Sequence, residues 1–522
     1  MSTIERSIAV LEQVGDHANP ILVKETRQSL KSRQFVVTFM LLLAASWFIF
    51  TMGIMLGGDA IEFGAIGNEF FWFFYVILAF AVLVLVPFGA YRSLLAEKDQ
   101  ATYDLLSITT LSPRQIVWGK LSSALVQVLI FYSAIAPFIA FTSLLQGFDF
   151  LMVAFMLIVT LLMAMLSSII AIASSAMTKQ RQYQGLTSLF VLGALVIQTL
   201  VLLSIVGRFV NSFSLVDAEA WWTLAFGVVI AGSYFLLFQK VATAHLTFES
   251  DDRISGIRMV FSGQFFLLWI GIFVMTWLAP LTFSINDELV LPAIVVSYVH
   301  WGLVGLFAVT EDPYLSRRIR RDLPKGRLRR LLFAPFLQGG NRGFVYVLFH
   351  LAILTGISFM LVPMLGSGTW SLDVPIAMTC YLVIILGMAC ALARWCLLLS
   401  SDIRAGHVRV LTLIIVAIAS MLPFVPMLWT PAYRFTFNLT MILNPIATLI
   451  HLANDGHQAT AVIPVLCIGA VVAILVNLRA MRAGLNVILR SDVKPRSLVV
   501  IDDVTIWEEE REAQTAELEG RE

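Results

Sequence analysis

The sequence predicts an all-α, polytopic integral membrane protein with about 12 transmembrane helices, and three observations carry that expectation. Hydrophobic residues make up 59% of the 522 and charged residues only 13%, a balance outside the range of soluble domains. Mean hydropathy is +0.87. Apolar runs recur along the chain at the length, roughly 20 residues, that crosses a hydrocarbon core.

The chain begins with a polar segment. Residues 1–34 are largely polar and the first apolar run is long enough to span, so no cleavable signal peptide is expected and that run serves as an uncleaved anchor. Within this segment Asn19 reads as an N-cap and Pro20 as the first helical position. Lys24, Arg27 and Lys31 then recur at helical spacing while Ile21, Leu22 and Leu30 supply apolar contacts. That pattern suits a short helix lying in the headgroup plane; the competing reading is a basic flank that only sets topology.

A first six-span region, 35–240, holds Phe35–Gly57, Phe70–Ala90, Ser122–Leu145, Phe150–Met177, Leu186–Val206 and Trp221–Phe238. A second, 241–480, holds Phe265–Phe283, Leu289–Thr310, Phe344–Leu365, Ile376–Leu399, Val408–Trp429 and Ala461–Leu478. The tail, 481–522, begins basic and ends acidic at Glu508–Glu512, which fits a partly disordered segment. Lys and Arg are retained on the cytoplasmic side. They cluster before the first span (Lys24, Arg27, Lys31, Arg33), in the loop after the second (Arg92, Lys98, Arg114, Lys120) and after the fourth (Lys179, Arg181), with Arg208 and Arg434 as isolated exceptions. Both termini are therefore expected in the cytoplasm, with the chain multi-pass in the inner (plasma) membrane. Cys380, Cys390, Cys396 and Cys467 all fall inside spans without CxxC spacing, so neither disulfides nor a metal site is expected.

The loop at 92–121 carries the most information. It reads EKDQATYDLLSITTLSPRQIVWGK from Glu97 to Lys120, with an apolar cluster of Tyr103, Leu105, Leu106 and Ile108 and a second helical start at Ser112-Pro113. Two short helices joined by a turn are expected. On the residues alone, Glu97, Lys98, Asp99 and Asp104 read as a solvated charged face.

Together with the N-terminal helix, this loop resembles that of the permeases of the type-2 class of ATP-binding-cassette (ABC) transporters, which reads approximately EKExGTxxLLxxxPLSPxxIxxGK. The matching positions are Glu97, Lys98, Thr102, Leu105, Leu106, Leu111, Ser112, Pro113, Ile116, Gly119 and Lys120. Asp99 replaces the usual Glu, Ala101 the usual Gly, and Thr110 stands where a Pro is common; Ala101 speaks against a required positive φ there. The stretch NPILVKETRQSLKSR resembles the family's interfacial elbow helix, and Leu443–Ile450, within 436–453, resembles its external re-entrant segment. The resemblance covers about residues 18–206 and, more thinly, 443–480. No second copy of the loop motif is seen, so a fused pair of equivalent halves is not expected, and the additional spans read as an extension or an insertion.

The resemblance implies a permease, not an enzyme, whose cytoplasmic coupling helix sits on a separate ABC ATPase subunit. That partner would hydrolyse ATP with Mg, and this chain would bind no cofactor of its own; GxxxxGK[ST] is absent from it. A second permease copy and export are also implied, while the substrate is unreadable.

The remaining features are weighed against plainer readings. The loop 311–342 is the most basic part, with arginines around Leu323-Pro324. Each basic residue near an anionic leaflet is worth about 1 kcal/mol, so contact with the lipid bilayer is the simplest role, and a nucleic-acid partner is not expected without interleaved aromatics. His300 and His350, in consecutive spans at neighbouring depths, form a candidate intramembrane polar pair, with packing between helices the favoured alternative. No Asp or Glu lies deep in a span, against an ion-coupled carrier. The functional rivals are an intramembrane hydrolase using Ser358 and His350, and a membrane anchor or scaffold recruiting a partner through the acidic tail.

Overall fold

A computed structural model describes residues 19–57, 67–99, 111–142, 145, 150–178, 181–212, 218–248, 251–278, 287–324, 326–364, 372–399, 403–428, 439–454 and 459–489. Thr102, Leu105 and Leu106, residues 1–18, residues 436–438 and the tail from 490 lie outside them. Among the described residues there is no strand, and 12 helices are long and apolar enough to cross a membrane. The chain is an all-α, multi-pass membrane protein.

The helices overrun the apolar runs that locate them. The second span does not stop at Ala90: α3 (Gly67–Phe80) passes through a π turn (Ala81–Leu85) into α4 (Val86–Asp99). The third starts at Pro113 rather than Ser122 and runs unbroken as α5 (Pro113–Thr142), so the expected short helix after Ser112 is the span's own first turns. The last extends to Leu489 rather than Leu478. Hydropathy marks only the residues that lipid selects. Ala, Leu, Glu and Lys continue a helix in water equally well. The 32 residues of Gly67–Lys98 extend about 47 Å at 1.5 Å each, against a core of about 30 Å, so several turns stand clear of the hydrocarbon core.

The chain divides into two compact units. Unit 1 comprises Met1–Thr247 with Phe266–Met275, and unit 2 comprises Phe248–Phe265 with Thr276–Glu522. In unit 1 the second span is the central helix. Phe71, Phe74, Tyr75 and Leu78 are buried, the Tyr75 hydroxyl lies 2.7 Å from Thr160 Oγ1, and Val84, Tyr91 and Leu95 pack on Ala171 of α6 (Phe150–Met177) and on Val191 and Leu195 of α7 (Arg181–Ser212). The π turn has a local cause. Pro87 offers no N–H and its ring would clash with the carbonyl four residues back, so the ladder widens ahead of it and Val86 N–H donates to Ala81 instead.

Unit 2 is centred on Trp301, Phe344 and Tyr346, all buried. Between its spans α8 (Asp287–Val309) and α11 (Gly340–Leu361) lie two short helices, α9 (Arg317–Arg321) and α10 (Arg327–Phe333). Leu315, Ile319, Leu323 and Leu337 of this segment form a small core with Ile488 from the end of the last span. Asn444 Oδ1 accepts from Ala447 N at 3.0 Å and so caps a short helix, Pro445–Asn454, ahead of that span.

Candidate functional site

The site is assembled in unit 1, where the end of the second span and the head of the third meet a short N-terminal helix. Helix α1 (Pro20–Leu30) starts at Asn19, whose Oδ1 accepts from Ile21 N at 3.0 Å while Nδ2 donates to the Gln115 carbonyl at 2.7 Å. The same cap therefore begins one helix and ties it to another. At the head of α5 a capping box closes: Ser112 N donates to Gln115 Oε1 at 2.8 Å and Gln115 N donates back to Ser112 Oγ at 3.3 Å. Gly119 allows α1 to lie against α5, because a Cβ there would stand 2.8 Å from Cβ and Cγ2 of Ile21.

Four charges of alternating sign then link α1, α4 and α5. Lys120 Nζ, with the residue only 3% exposed, lies 2.9 Å from Glu25 Oε1 and 3.0 Å from Glu97 Oε2. Glu97 Oε1 lies 3.2 Å from Lys24 Nζ at the rim. Ser93 Oγ accepts from Lys120 at 2.8 Å and donates to Glu25 Oε2 at 2.7 Å. The group is neutral and its buried cation has three oxygen partners, the condition for a buried charge to be tolerated. Burial alone would raise the Glu25 carboxyl, but Lys120 and the Ser93 hydroxyl outweigh it and hold the group below its usual value of 4.5.

Lys98 performs a separate task. Its ammonium donates to the carbonyls of Ser175 and Ala176 at 2.9 and 2.6 Å, the last turn of α6, where orphan carbonyls and the negative end of the dipole favour a cation. Adjacent residues at the end of the second span thus hold the third and fourth.

Several sequence expectations change. Glu97 is not a solvated charge: it is 9% exposed and paired. Ile116 is 2% exposed, a packing residue rather than a contact for a partner. Arg27 and Lys31 face solvent, as does Ser112, with Pro113 half-buried beside it. For Asp99 only the backbone, the last residue of α4, is described. Glu25 and Ser93 were missed. The available signal was Glu25 itself, the one acid of a basic helix, four residues from Ile21 on the buried face.

Unit 2 contains a knot of its own around Arg258, near the start of its span. The guanidinium donates to the carbonyls of Pro335 and Leu337 at 2.6 and 2.8 Å and to Glu311 Oε2 at 2.6 Å. Glu311 also accepts from Gly339 N at 3.0 Å. A Cβ at Gly343 would lie 2.1 Å from the Ala308 carbonyl oxygen, so glycine permits that helix crossing. The basic loop is therefore partly structural: Arg342 is buried and donates to Gln338, and Arg318 pairs with Asp251 at 2.7 Å, while Arg320, Arg321, Arg327 and Arg329 are exposed.

His300 and His350 meet through an intermediary. The His350 ring stacks on Trp301 with centroids 4.1 Å apart, and His300 stands edge-on to the same indole at 5.4 Å. His350 Nδ1 lies 2.8 Å from the Tyr346 carbonyl and Ser358 Oγ donates to the Leu354 carbonyl at 2.9 Å, so each bonds the turn of helix behind it. The spacing of the cysteines hid a contact, since Cys380 and Cys467 Sγ lie 3.8 Å apart on two spans. Compared with models of known protein families, with curated proteins and with solved structures, the chain matches none.

Proposed function

We propose that the chain is the permease subunit of an ATP-driven ABC transporter, with residues 92–121 as the loop that receives a separate ATPase. One observation carries the reading: both ends of that loop are braced into the bundle by buried polar contacts. Glu97 and Lys98 close one end and Lys120 the other, and through them the second, third and fourth spans and α1 are joined. Closure of an ATPase dimer against residues 100–112 would then displace these elements as a body. Rigid-body displacement of spans around a binding site is how such a permease alternates between its two states. Energy comes from the partner, with Mg and ATP bound there, and the direction is export from the cytoplasm across the inner membrane, with both termini cytoplasmic and a second permease copy completing the path.

The test is co-purification from native membranes in mild detergent. Leu106→Asp combined with Arg114→Glu, the latter exposed at the head of α5, is expected to lose an ATPase subunit that accompanies the parent chain. A properly inserted parent that captures no ATPase would end the proposal. Ile116→Asp is unsuitable for this purpose, because its site is internal and loss of the partner would follow from misfolding.

A further inference from the structure

A cavity of 530 Å³ opens beside the charge network, walled by α1, by the first turns of α2 (Arg33–Gly57), by α4 and by α5. Its volume lies within the range of about 300–1,000 Å³ typical of small-molecule sites. The lining is divided by chemistry. Gln28, Ser32, Arg92 and Gln127 supply donors and acceptors, whereas Phe35 and Phe131, with ring centroids 5.5 Å apart, supply an apolar wall.

Charge selects the ligand. Lys24 and Lys120 are cancelled by Glu25 and Glu97, which leaves Arg92, exposed on α4 and outside every ion pair of the network, as the uncompensated charge on the wall. Depth selects it further. Arg92 stands six residues before the end of the span at Lys98, in the turns that leave the hydrocarbon, and α2 beside the cavity exposes Val36, Val37, Met40 and Leu41. A ligand held here has its anion at headgroup level and apolar surface running alongside. We infer that this cavity binds an anionic phospholipid, its phosphodiester on Arg92, its headgroup hydroxyls on the amides and serine, and its acyl chains along α2. The site would hold whether or not an ATPase is docked, so it stands apart from the transport proposal.

Native mass spectrometry of the full chain in detergent doped with equal phosphatidylglycerol and phosphatidylethanolamine tests the inference. The parent is expected to retain one phosphatidylglycerol about fivefold over phosphatidylethanolamine, the equivalent of about 1 kcal/mol for one arginine near an anionic group. Arg92→Gln is expected to erase that preference and Arg92→Lys to keep most of it. Gly89→Leu fills the cavity, since a Cβ at Gly89 meets no atom within 4 Å, and is expected to abolish retention with Arg92 intact; the elution profile and thermal unfolding of each variant check its fold. Equal retention of the two lipids, or unchanged retention in both Arg92→Gln and Gly89→Leu, would overturn the site. Displacement of phosphatidylglycerol by millimolar glycerol 1-phosphate would overturn its assignment to lipid, leaving a pocket for a free phosphate ester.

Discussion

Lys120 is the residue on which the polar network depends. Removing a single partner from a buried ion pair strands the others, at about 3–5 kcal/mol. Lys120→Met, which leaves Glu25 and Glu97 facing each other without a cation, is expected to destabilise unit 1 on that scale, read as a fall in the detergent unfolding temperature. Adding Glu25→Gln and Glu97→Gln to Lys120→Met should recover most of the loss. Unfolding of the single variant at the parent's temperature would mean that the three groups are not coupled. Legibility at this scale depends on sequence distance. Asn19 and Pro20 announce a helix start because a cap acts on residues two or three positions away. Glu25 announces nothing, because its partner Lys120 is 95 residues on and an acid in a basic helix looks like surface. Gly119 stands in the loop motif with no reason visible in the sequence; the reason is the side chain of Ile21.

At the scale of elements, α1 is held by charge, by the Asn19–Gln115 hydrogen bond and by one glycine contact rather than by a broad apolar face, so its docking should respond to acid. Glu25 is held below 4.5; its contribution is therefore complete above that value and is lost as pH falls through the lower folded value. A spin label on a cysteine at the exposed Arg27 position is expected to report constant mobility from neutral pH down to about 5 and release of α1 only below the unperturbed carboxylate value. Glu25→Gln should remove the acid transition. A transition centred near neutrality would assign the docking to some other group. The spans themselves were legible because lipid demands long apolar runs, whereas their ends were not: α4 and α5 leave the bilayer as helices whose polar residues look like loop. The buried arginines of unit 2 were illegible for the same reason, since those at 258 and 342 are indistinguishable in sequence from the exposed ones around Leu328.

At the scale of the whole molecule, the proposed topology takes the 12 apolar helices among the described residues as spans, an even number that would return the chain to the side on which it began. In a cysteine-free background, single cysteines replacing Arg27 and Arg329 are expected to react with an impermeant maleimide only after permeabilisation, and one replacing Trp221 to react in intact cells, as basic loops retained inside require. Labelling of Arg27 and Trp221 positions from the same side would break the span count in unit 1. The π turn ahead of Pro87 gives the molecule a further property, one of length rather than of contact. Between that turn and Glu97 every residue sets direction as well as distance, because each one rotates the rest of the helix by about 100° around its axis. A one-residue deletion there would keep every side chain of the network and aim Glu97 and Lys98 away from both of their partners. The constraint on this stretch is therefore a count of residues as well as the identity of those that pack or pair, such as Tyr91 and Ser93.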